Sequence, residues 1–559
     1  MDYCLISKTS NCKNCYKCIR HCPIKAISFK DNKAEIIQEE CILCGKCHLV
    51  CPQELKIIRD DIHVVKEMLT NQKVIVSLAP SFISYFHTSF ANVKEALLKL
   101  GFYDVEETAV GATIVKKQYD KILEKGQEDI VISSCCHSIN LLIQKHYKEA
   151  LKYLAHVYSP MVSHGKDIKE RIDNAKVVFI GPCIAKKDEG DKFHDYIDAV
   201  LTFEELDKML IQEDIVIEKL NKEKVKVEKS KARLFPITGG ILKTMAKKSS
   251  KYTYLAIDGV EECEAVLKDV IEGRIHNCFI EMSSCHGSCV NGPLMKESDS
   301  IIAKDIEIVS AAGKEDFDIN ENVDIEHNYM PIYNTQFATP SESAIQSVLD
   351  SIGKSNKENE LNCGSCGYET CRKKAIAVLL KRATKEMCLP YLMEKAQSFS
   401  NNIVSQSNVG YLVLDENLNI QLANKKLCSI IGISNPDDII KSSVSTILDP
   451  TDFAKALGGE KFPLYKKEYL SSYDKYIEKA ITYDDKYHII IVSIKDITNE
   501  EIEKQKRNEN AKKTLKIANE VIEKNMRSVQ EIASLLGESA AETKIALLSL
   551  KETIDHDDE

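Results

Sequence analysis

The chain has 559 residues, of which 44% are hydrophobic and 29% charged, and its net charge is −10. This composition is typical of a multidomain globular protein, and the acidic balance argues against nucleic acid as a partner. No uncharged apolar run is long enough for a membrane helix, and the N-terminal residues lack the pattern of a secretory signal. The 21 cysteines cluster in C-x2-C groups, which favours metal binding over disulfides. Cysteines that are not in disulfides in turn favour a cytoplasmic location.

The first 60 residues contain one cysteine pattern twice. It occurs as Cys12-x2-Cys15-x2-Cys18-x3-Cys22-Pro23 and again as Cys41-x2-Cys44-x2-Cys47-x3-Cys51-Pro52. This run is typical of bacterial two-cluster ferredoxins, in which the fourth cysteine of each run serves the other cluster. For a ferredoxin-like domain over residues 1–60, the pattern predicts one [4Fe–4S] cluster on Cys12, Cys15, Cys18 and Cys51, and a second on Cys41, Cys44, Cys47 and Cys22.

Three further cysteine sites each follow a short β-like run. They are Cys135 and Cys136 after Asp129–Ile132, Cys183 after Lys176–Ile180, and Cys285 and Cys289 after Cys278–Ile280. Open α/β sheets gather their ligands at the carboxyl ends of strands, so these cysteines are expected to converge. From the residues alone the site could be an iron–sulfur cluster, a structural zinc site or a group of core thiols.

The segments SSCC (133–136), GPCIAKKDE (181–189) and EMSSCHGSCVNG (281–292) resemble the three active-site signatures of [FeFe] hydrogenases. SLAPSF (77–82), IDAVLT (197–202) and ITGG (237–240) support the resemblance, which extends to about Ala312. It implies a two-lobed α/β catalytic domain over residues 72–312. It also implies an H-cluster, in which a cubane is joined to a diiron unit with CO, cyanide and an azadithiolate bridge. The implied cubane ligands are Cys136, Cys183, Cys285 and Cys289.

The resemblance also implies roles for individual residues. Cys289 would bridge the cubane to the diiron unit, and Cys135 would relay protons. Lys186 would donate a hydrogen bond to a cyanide ligand, as a cationic donor to an anionic acceptor. Glu189 completes a PCxxKxxE pattern with Cys183 and Lys186.

Five positions depart from the family pattern. Gly181 and Ser283 stand where prototypes place methionines beside the diiron unit, and His137 replaces a proline. Lys116 and Lys117 follow a TIM-like run where prototypes carry proton-transferring glutamates. The metal ligands are thus retained, whereas the expected proton route is altered.

A second group of cysteines follows the hydrogenase-like region. Residues 312–340 are acidic and irregular and are interpreted as a linker or a surface excursion, and helical spacing begins near Ser341. The group itself is Cys363-x2-Cys366-x4-Cys371-x16-Cys388. It resembles an iron–sulfur module found in several redox proteins and predicts a third accessory [4Fe–4S] cluster within residues 340–398. Zinc is the alternative at such spacings.

The last part of the chain resembles a sensor. GYLVL (410–414) and HIIIVSIKDIT (488–498) resemble the first and final strands of a PAS domain, which predicts an α+β domain over residues 400–499. Residues 500–559 are charged and helix-prone, and Gly537 predicts a break between two helices. Their apolar faces either pack on the PAS-like domain or form a homodimer that transmits a signal.

Three functions follow as hypotheses. The first is a hydrogen or redox sensor with slow, reversible H2 oxidation and proton reduction, which signals through the PAS-like domain and C-terminal helices to a downstream protein. The second is a metabolic hydrogenase that exchanges electrons with ferredoxin. The third is an iron–sulfur assembly scaffold that lacks the diiron unit. The C-terminal region favours the sensor over the metabolic enzyme, and Cys135, Lys186 and Glu189 disfavour the scaffold.

Overall fold

The chain divides into two units after Leu392. The computed structural model describes residues 3–8, 12–217, 230–245, 249–296, 299–333, 340–458 and 464–555. Parts of the predicted 312–340 linker and of the C-terminal segment lie outside these residues. Among the described helices, none combines the length and apolar character needed to cross a membrane.

The N-terminal region consists of two antiparallel strand pairs and two short helices. Its elements are β1 (Leu5–Ser7), α1 (Lys17–His21), β2 (Ile27–Lys30), β3 (Lys33–Ile36), α2 (Lys46–Leu49) and β4 (Lys56–Ile58). β1 pairs with β4, and β2 pairs with β3. The cysteine duplication recurs in the backbone, because equivalent positions have left-handed φ angles: Asn14 and Leu43, Tyr16 and Gly45, and Lys25 and Glu54.

The region that follows is an α/β fold with two parallel sheets. Its strands are β5 (Lys73–Leu78), β6 (Asp104–Glu107), β7 (Ile130–Ile132), β8 (Ala175–Gly181), β9 (Ala199–Thr202), β10 (Thr253–Asp258) and β11 (Cys278–Ser283). Its helices are α3 (Ile62–Asn71), α4 (Phe82–Phe86), α5 (Phe90–Lys99), α6 (Ala109–Lys125), α7 (His137–His146), α8 (Pro160–Arg171), α9 (Ala185–Lys192), α10 (Phe203–Gln212), α11 (Gly240–Thr244), α12 (Val260–Ile271) and α13 (Ile301–Ala311).

The two sheets form two lobes. The larger sheet has the order β6–β5–β8–β9 and the smaller has the order β10–β11–β7, and all pairings are parallel. The buried strands β5 and β8 are apolar runs, as parallel strands covered on both faces require. The predicted two-lobed α/β architecture is therefore present, and the three cysteine-bearing strands β7, β8 and β11 are at their expected places.

Residues 313–333, here called the 313–333 segment, differ from the predicted linker. Val323, Ile325 and Tyr329 are buried in the core of the α/β region. The backbone forms isolated bridges from Glu326 to Val157 and from Glu315 to Ser230. This segment lies at the surface, as the alternative of a surface excursion predicts, and three buried side chains anchor it to the core, so it is not a linker.

The second cysteine group lies between α14 (Glu342–Asp350) and α16 (Leu389–Gln406), with α15 (Cys371–Leu379) in between. Ser341 caps α14 by accepting a hydrogen bond from the backbone N–H of Ala344, as the predicted helix start near Ser341 requires. Residues 359–390 are called the module below. Its residues Tyr368 and Met387 belong to the same hydrophobic core as the ferredoxin-like region and the smaller sheet.

The second unit contains one antiparallel sheet and a long helix. Its elements are β12 (Gly410–Leu414), β13 (Ile420–Ala423), α17 (Lys425–Ile431), α18 (Thr451–Leu457), β14 (Leu464–Leu470), β15 (Lys475–Asp484), β16 (Ile489–Asp496) and α19 (Thr498–Asp555). The strand order is β13–β12–β16–β15–β14. α19 is one continuous helix, so the predicted break at Gly537 is wrong. A single glycine costs only about 1 kcal/mol in a helix, and the helix formers around it offset this cost.

Candidate metal centres

Four thiols from both lobes converge between the two sheets. Cys136 precedes α7, Cys183 follows β8, and Cys285 and Cys289 follow β11. The charges of Cys136 and Cys183 both contribute, after burial, to the raised pKa of Cys285 and of Cys289, so the four sulfurs lie close together. The Sγ atoms of Cys136 and Cys285 each lie 3.8 Å from Oγ of Ser284.

Glycines allow the three loops to approach each other. Gly292, three residues after Cys289, has its Cα so close to Pro182 that an added Cβ would lie 3.2 Å from the Pro182 carbonyl oxygen. Gly287 lies between the two cysteines with a φ angle of +78°, which L-residues rarely adopt. The loop from Cys285 to Cys289 therefore turns both thiols toward the site.

Burial favours the protonated form of three of these thiols when no metal is bound. It raises the pKa of Cys183 to about 11 and also raises the pKa of Cys285 and Cys289, and the neighbouring thiolates add to the effect. A bound metal displaces such protons, and thiolate ligands select soft metals and iron–sulfur clusters. Four converging cysteines thus fit a cubane. All 21 cysteines are free thiols in the structure.

Lys186 lies against this site. Its Nζ donates hydrogen bonds to Ser159 Oγ (3.0 Å) and to the carbonyl oxygen of Cys135 (3.3 Å), and it forms an ion pair with Glu189. Burial opposes the charge of Lys186, but Glu189 and then the thiolates of Cys183 and Cys136 raise its pKa. A fixed cation therefore faces the cluster of thiols.

Cys135 is held by groups that the sequence analysis did not single out. The hydroxyl of Tyr119 lies 3.3 Å from its Sγ and accepts a hydrogen bond from the backbone N–H of Ser134 (2.9 Å). Burial raises the pKa of Cys135 to about 12, and the charge of Glu281 contributes to the increase. Cys135 is thus a protonated thiol within a polar pocket.

Glu281 is 5% exposed and lies in β11, before the CHGSC motif. Burial raises its pKa to about 7, although backbone N–H groups of residues 239–242 partly counteract this. One of them, the N–H of Leu242, donates a hydrogen bond of 3.1 Å to its carboxylate. The sequence signal that could have indicated Glu281 is an acid within an otherwise apolar strand.

His137 joins two carboxylates beside the site. Its Nε2 lies 2.7 Å from Asp188, and its Nδ1 lies 3.7 Å from Glu189. His137 and Glu189 are buried, whereas Asp188 is partly exposed and also pairs with Lys192. Burial opposes the charge of Asp188, but His137 and then Lys192 lower its pKa. His137 therefore forms a buried polar connection toward the surface.

Gly181 and Ser283, which the resemblance places at methionine positions, have different surroundings. A Cβ on Gly181 would lie 2.7 Å from the ring of Phe179 and 3.1 Å from Ala79, so the site has no space for a larger side chain. Ser283 Oγ lies 2.8 Å from Ser288 Oγ. Ser283 is thus hydrogen-bonded to the loop that carries Cys285 and Cys289.

The two lysines of α6 have acidic partners in the 313–333 segment. Lys116 is buried and pairs with Asp316, and the Nζ of Lys117 lies 2.8 Å from Glu321. Sequence reasoning missed these pairs because the partners are about 200 residues away along the chain.

The ferredoxin-like cysteines form two groups that agree with the exchanged pattern. The pKa of Cys18 is affected by Cys12 and Cys51, and that of Cys22 by Cys41 and Cys44, in both cases after burial as the main cause. The sulfurs of Cys41 and Cys51 accept backbone N–H bonds of 3.4 Å from Leu43 and Leu55. Hydrogen bonds of this kind tune iron–sulfur clusters.

The module cysteines line one small cavity. Cys363, Cys366, Cys371 and Cys388 surround it together with Tyr368 and Lys374. Burial raises the pKa of Cys366, and the thiolates of Cys388 and Cys363 contribute. The four cysteines are therefore close enough to share one cluster.

Sequence comparison separates the same three cysteine-containing regions. Residues 72–293 match the family described as "Iron only hydrogenase large subunit, C-terminal domain", residues 11–55 match "4Fe-4S dicluster domain", and residues 359–390 match a family described as an Fe-S cluster. The chain is therefore an iron–sulfur protein that is similar to [FeFe] hydrogenases, with a ferredoxin-like 4Fe–4S domain.

Similar proteins cover parts of the chain. Iron hydrogenase 1 of Clostridium pasteurianum is 26% identical over 285 residues, which are 39% of this chain and 49% of the relative. One component of an ion-translocating oxidoreductase complex of Methanosarcina acetivorans is 46% identical over 43 residues, 8% of this chain and 16% of the relative. The chain thus spans half or less of the length of these curated relatives.

Solved structures match parts of the chain at low identity. [FeFe]-hydrogenase HydA1 of Chlamydomonas reinhardtii matches with a TM-score of 0.37 and 16% identity, covering 46% of this chain and 91% of that chain. The PAS domain of an HTR-like protein of Haloarcula marismortui matches with a TM-score of 0.17 and 16% identity, covering 19% of this chain and 97% of that one.

Proposed function

We propose that this protein is a sensor of hydrogen or redox state, built on a hydrogenase-type centre with slow, reversible H2 chemistry. The observation that carries the proposal is the convergence of Cys136, Cys183, Cys285 and Cys289, with Lys186 beside them, between two α/β lobes. Four thiolates and one cation suit a cubane that has an anionic partner unit.

The four cysteines would hold the cubane, and Cys289 would also bridge to a diiron unit with CO, cyanide and azadithiolate ligands. When bound, this group supplies a redox-active metal centre at which H2 is split or formed. Lys186 is already oriented by Ser159 and Glu189 and would donate a hydrogen bond to a cyanide ligand. Cys135 would hold a proton at its Sγ, and Tyr119 fixes the position of that sulfur.

Low turnover is inferred from the expected proton route. Lys116 and Lys117 stand where the resemblance places the family's glutamates, and Asp316 and Glu321 hold them in ion pairs. Lysines fixed in this way do not supply the carboxylate that would accept and pass on a proton there. Ser283 and Gly181 further change the polarity around the metal site, which tunes its potential.

The sensor half of the proposal rests on the second unit. Its strand order β13–β12–β16–β15–β14, with α17 and α18 between β13 and β14, supports a PAS-like domain. α19 follows the last strand directly. It would transmit the state of the clusters to a downstream signalling protein.

α19 also supports a homodimer. Twelve residues of α19 recur at alternating intervals of four and three, and their stripe is the heptad seam of a coiled coil. They are Ala511, Leu515, Ala518, Ile522, Asn525, Val529, Ile532, Leu536, Ser539, Thr543, Ala546 and Leu550. The large apolar members are 56–65% exposed in the single chain. A seam about 60 Å long fits an interface of standard size, about 1,200 Å² or more in total.

Infrared spectroscopy tests the catalytic centre. The full chain, matured with the diiron unit, should show CO and cyanide bands, and Cys289→Ala should lose them while the ferredoxin-type clusters remain visible by electron paramagnetic resonance (EPR). Absence of these bands in the matured wild-type protein would favour the assembly scaffold. Turnover equal to that of a metabolic hydrogenase would favour the metabolic enzyme.

A further inference from the structure

The module is docked on the ferredoxin-like region through a specific ion pair. The guanidinium of Arg382 donates two hydrogen bonds to the carboxylate of Glu40, of 2.9 and 2.5 Å. The side chains are only 20% and 12% exposed, respectively. The backbone N–H of Phe29 also donates to the carbonyl oxygen of Arg382 at 2.7 Å. A bidentate, largely buried pair of this kind fixes orientation as well as contact.

Two more side chains of the ferredoxin-like region contact the loop that carries the first module cysteines. Arg20 donates to the carbonyl oxygen of Ser365 (3.1 Å), and Lys25 donates to that of Gly367 (3.2 Å). These acceptors flank Cys366 on both sides. The ferredoxin-like region therefore holds the cysteine loop itself.

The backbones of the two cysteine loops also meet. Gly367 has a φ angle of +92°, and a Cβ there would lie 2.9 Å from Ile19 and 3.3 Å from the backbone nitrogen of Arg20. Gly367 follows Cys366, and Ile19 follows Cys18. Residues adjacent to a ligand of the module cluster and to a ligand of the first ferredoxin-type cluster are thus in van der Waals contact. A glycine is required for this approach.

Tyr16 follows Cys15, an expected ligand of the first ferredoxin-type cluster, and lies beside the contact with the module. Its neighbour Phe29 donates its backbone N–H to the carbonyl oxygen of Arg382 in the module. Tyr16 has a left-handed φ of 54°, whereas the equivalent position of the other repeat is Gly45. A bulky residue in this conformation is strained, and such strain is found where a side chain has a function. The ring also packs edge-on against Phe29 at 5.0 Å between centroids.

The opposite end of the ferredoxin-like region faces the catalytic site. A Cβ on Gly45 would lie 2.5 Å from Pro293 and 2.9 Å from Ile184. Gly45 follows Cys44, Ile184 follows Cys183, and Pro293 follows Gly292 of the CHGSCVNG loop. The cysteine groups are therefore arranged in one row of three regions: the catalytic group, the two groups of the ferredoxin-like region, and the module group.

We propose that the module is the distal end of a single row of iron–sulfur centres, and that it receives electrons through the ferredoxin-like region, with Tyr16 beside the contact between that region and the module. Each transfer oxidises one ferredoxin-type cluster by one electron and reduces the module cluster by one, without a change in bonds. The electrons come from H2, which yields two electrons and two protons, or from an external one-electron reductant. The module thus reports the potential of the ferredoxin-type clusters, whichever donor sets it. Only the H2 branch of this inference rests on the proposed function.

EPR spectroscopy of the full-length, cluster-loaded protein tests the row. After reduction with dithionite, the module signal, assigned by its loss in Cys366→Ser/Cys371→Ser, should be broadened by magnetic interaction with a ferredoxin-type cluster. Glu40→Arg or Arg382→Glu should abolish the broadening, and the double charge swap should restore it. Arg274→Glu, in an exposed ion pair elsewhere, is the matched control and should leave the spectrum unchanged. A module signal without broadening in the wild-type protein would overturn the proposal.

Tyr16→Gly provides an independent arm, because it relieves backbone strain and keeps the left-handed conformation available. We expect unchanged iron content. We also expect dithionite to reduce the module cluster at least tenfold more slowly, which corresponds to a barrier higher by about 1.4 kcal/mol. An unchanged rate would refute the role of Tyr16. The same measurements on Cys289→Ala separate this inference from the proposed function, since that variant loses H2 chemistry but should retain the broadened signal under dithionite.

Discussion

Glu281 offers the sharpest test of the candidate metal site, since burial favours its protonated form. Its carboxyl has an ordinary pKa of 4.5, and burial raises this to about 7. At 1.36 kcal/mol per pKa unit, the folded protein prefers the protonated acid by about 3 kcal/mol relative to the unfolded chain. Glu281→Gln keeps the size of the side chain and removes the ionisation.

The sign of the pH dependence follows from the raised pKa. Below the pKa of the unfolded chain both states are protonated, so the stability contribution of Glu281 is fully present. It is lost as the pH rises through the folded pKa, because the unfolded chain ionises first. We therefore expect Glu281→Gln to match the wild-type protein at about pH 4.5 and to be more stable by up to about 3 kcal/mol at about pH 8.

Infrared titration measures the same quantity directly. A carboxylic-acid band should disappear in the wild-type protein near pH 7 and be absent from Glu281→Gln at every pH. The unfolding midpoints of both proteins across this pH range provide the second measurement. A carboxylate that is already ionised at about pH 5 would refute the reasoning that burial outweighs the backbone N–H donors.

Three further predictions concern the proton route, the 313–333 segment and α19. Hydrogen turnover should lie well below that of a metabolic hydrogenase assayed alongside, and Cys135→Ser should lower it by a further ~10²-fold or more. If Cys135→Ser has the same turnover as the wild-type protein, His137 is the next residue to test. Asp316→Ala leaves the buried Lys116 unpaired and should lower the free energy of unfolding by about 2 kcal/mol in chemical denaturation, whereas Asp318→Ala should have little effect; equal losses would contradict the ion-pair explanation. Ile522→Asp/Ile532→Asp should convert a dimer to a monomer by light scattering, whereas Ile517→Asp, outside the seam, should not; a wild-type monomer would contradict the seam.

The sequence was sufficient for the features that depend on local spacing. The cysteine runs indicated the two ferredoxin-type groups, and β-like runs before Cys136, Cys183 and Cys285 correspond to β7, β8 and β11. These patterns are readable because a strand, a glycine turn and a ligand occupy neighbouring positions. Ser341 likewise indicated a helix start that the structure contains.

The features that were missed depend on distant partners or lack periodicity. Arg382 and Glu40 are 342 residues apart, so no local pattern links the module to the ferredoxin-like region. The 313–333 segment inserts single apolar residues, Val323 and Ile325, among acids, and its backbone pairs only through isolated bridges. Such a segment has no helical or strand period, although three of its side chains are buried in the core. At Gly537 the local pattern predicted a helix break that is absent from α19. One glycine is a weak helix breaker when strong helix formers surround it.

The altered proton route and the row of cysteine groups are consistent with one task. A protein that reports a potential needs its clusters to equilibrate with the donor, and equilibrium does not depend on flux. Lys116 and Lys117, held by acids of the 313–333 segment, can therefore replace proton carriers without loss of such a function. A metabolic enzyme would lose rate by the same change. If the module is reduced to the same extent by H2 and by dithionite at equal potential, the chain reads potential; a response to H2 that dithionite cannot reproduce would instead require a signal from the catalytic site itself.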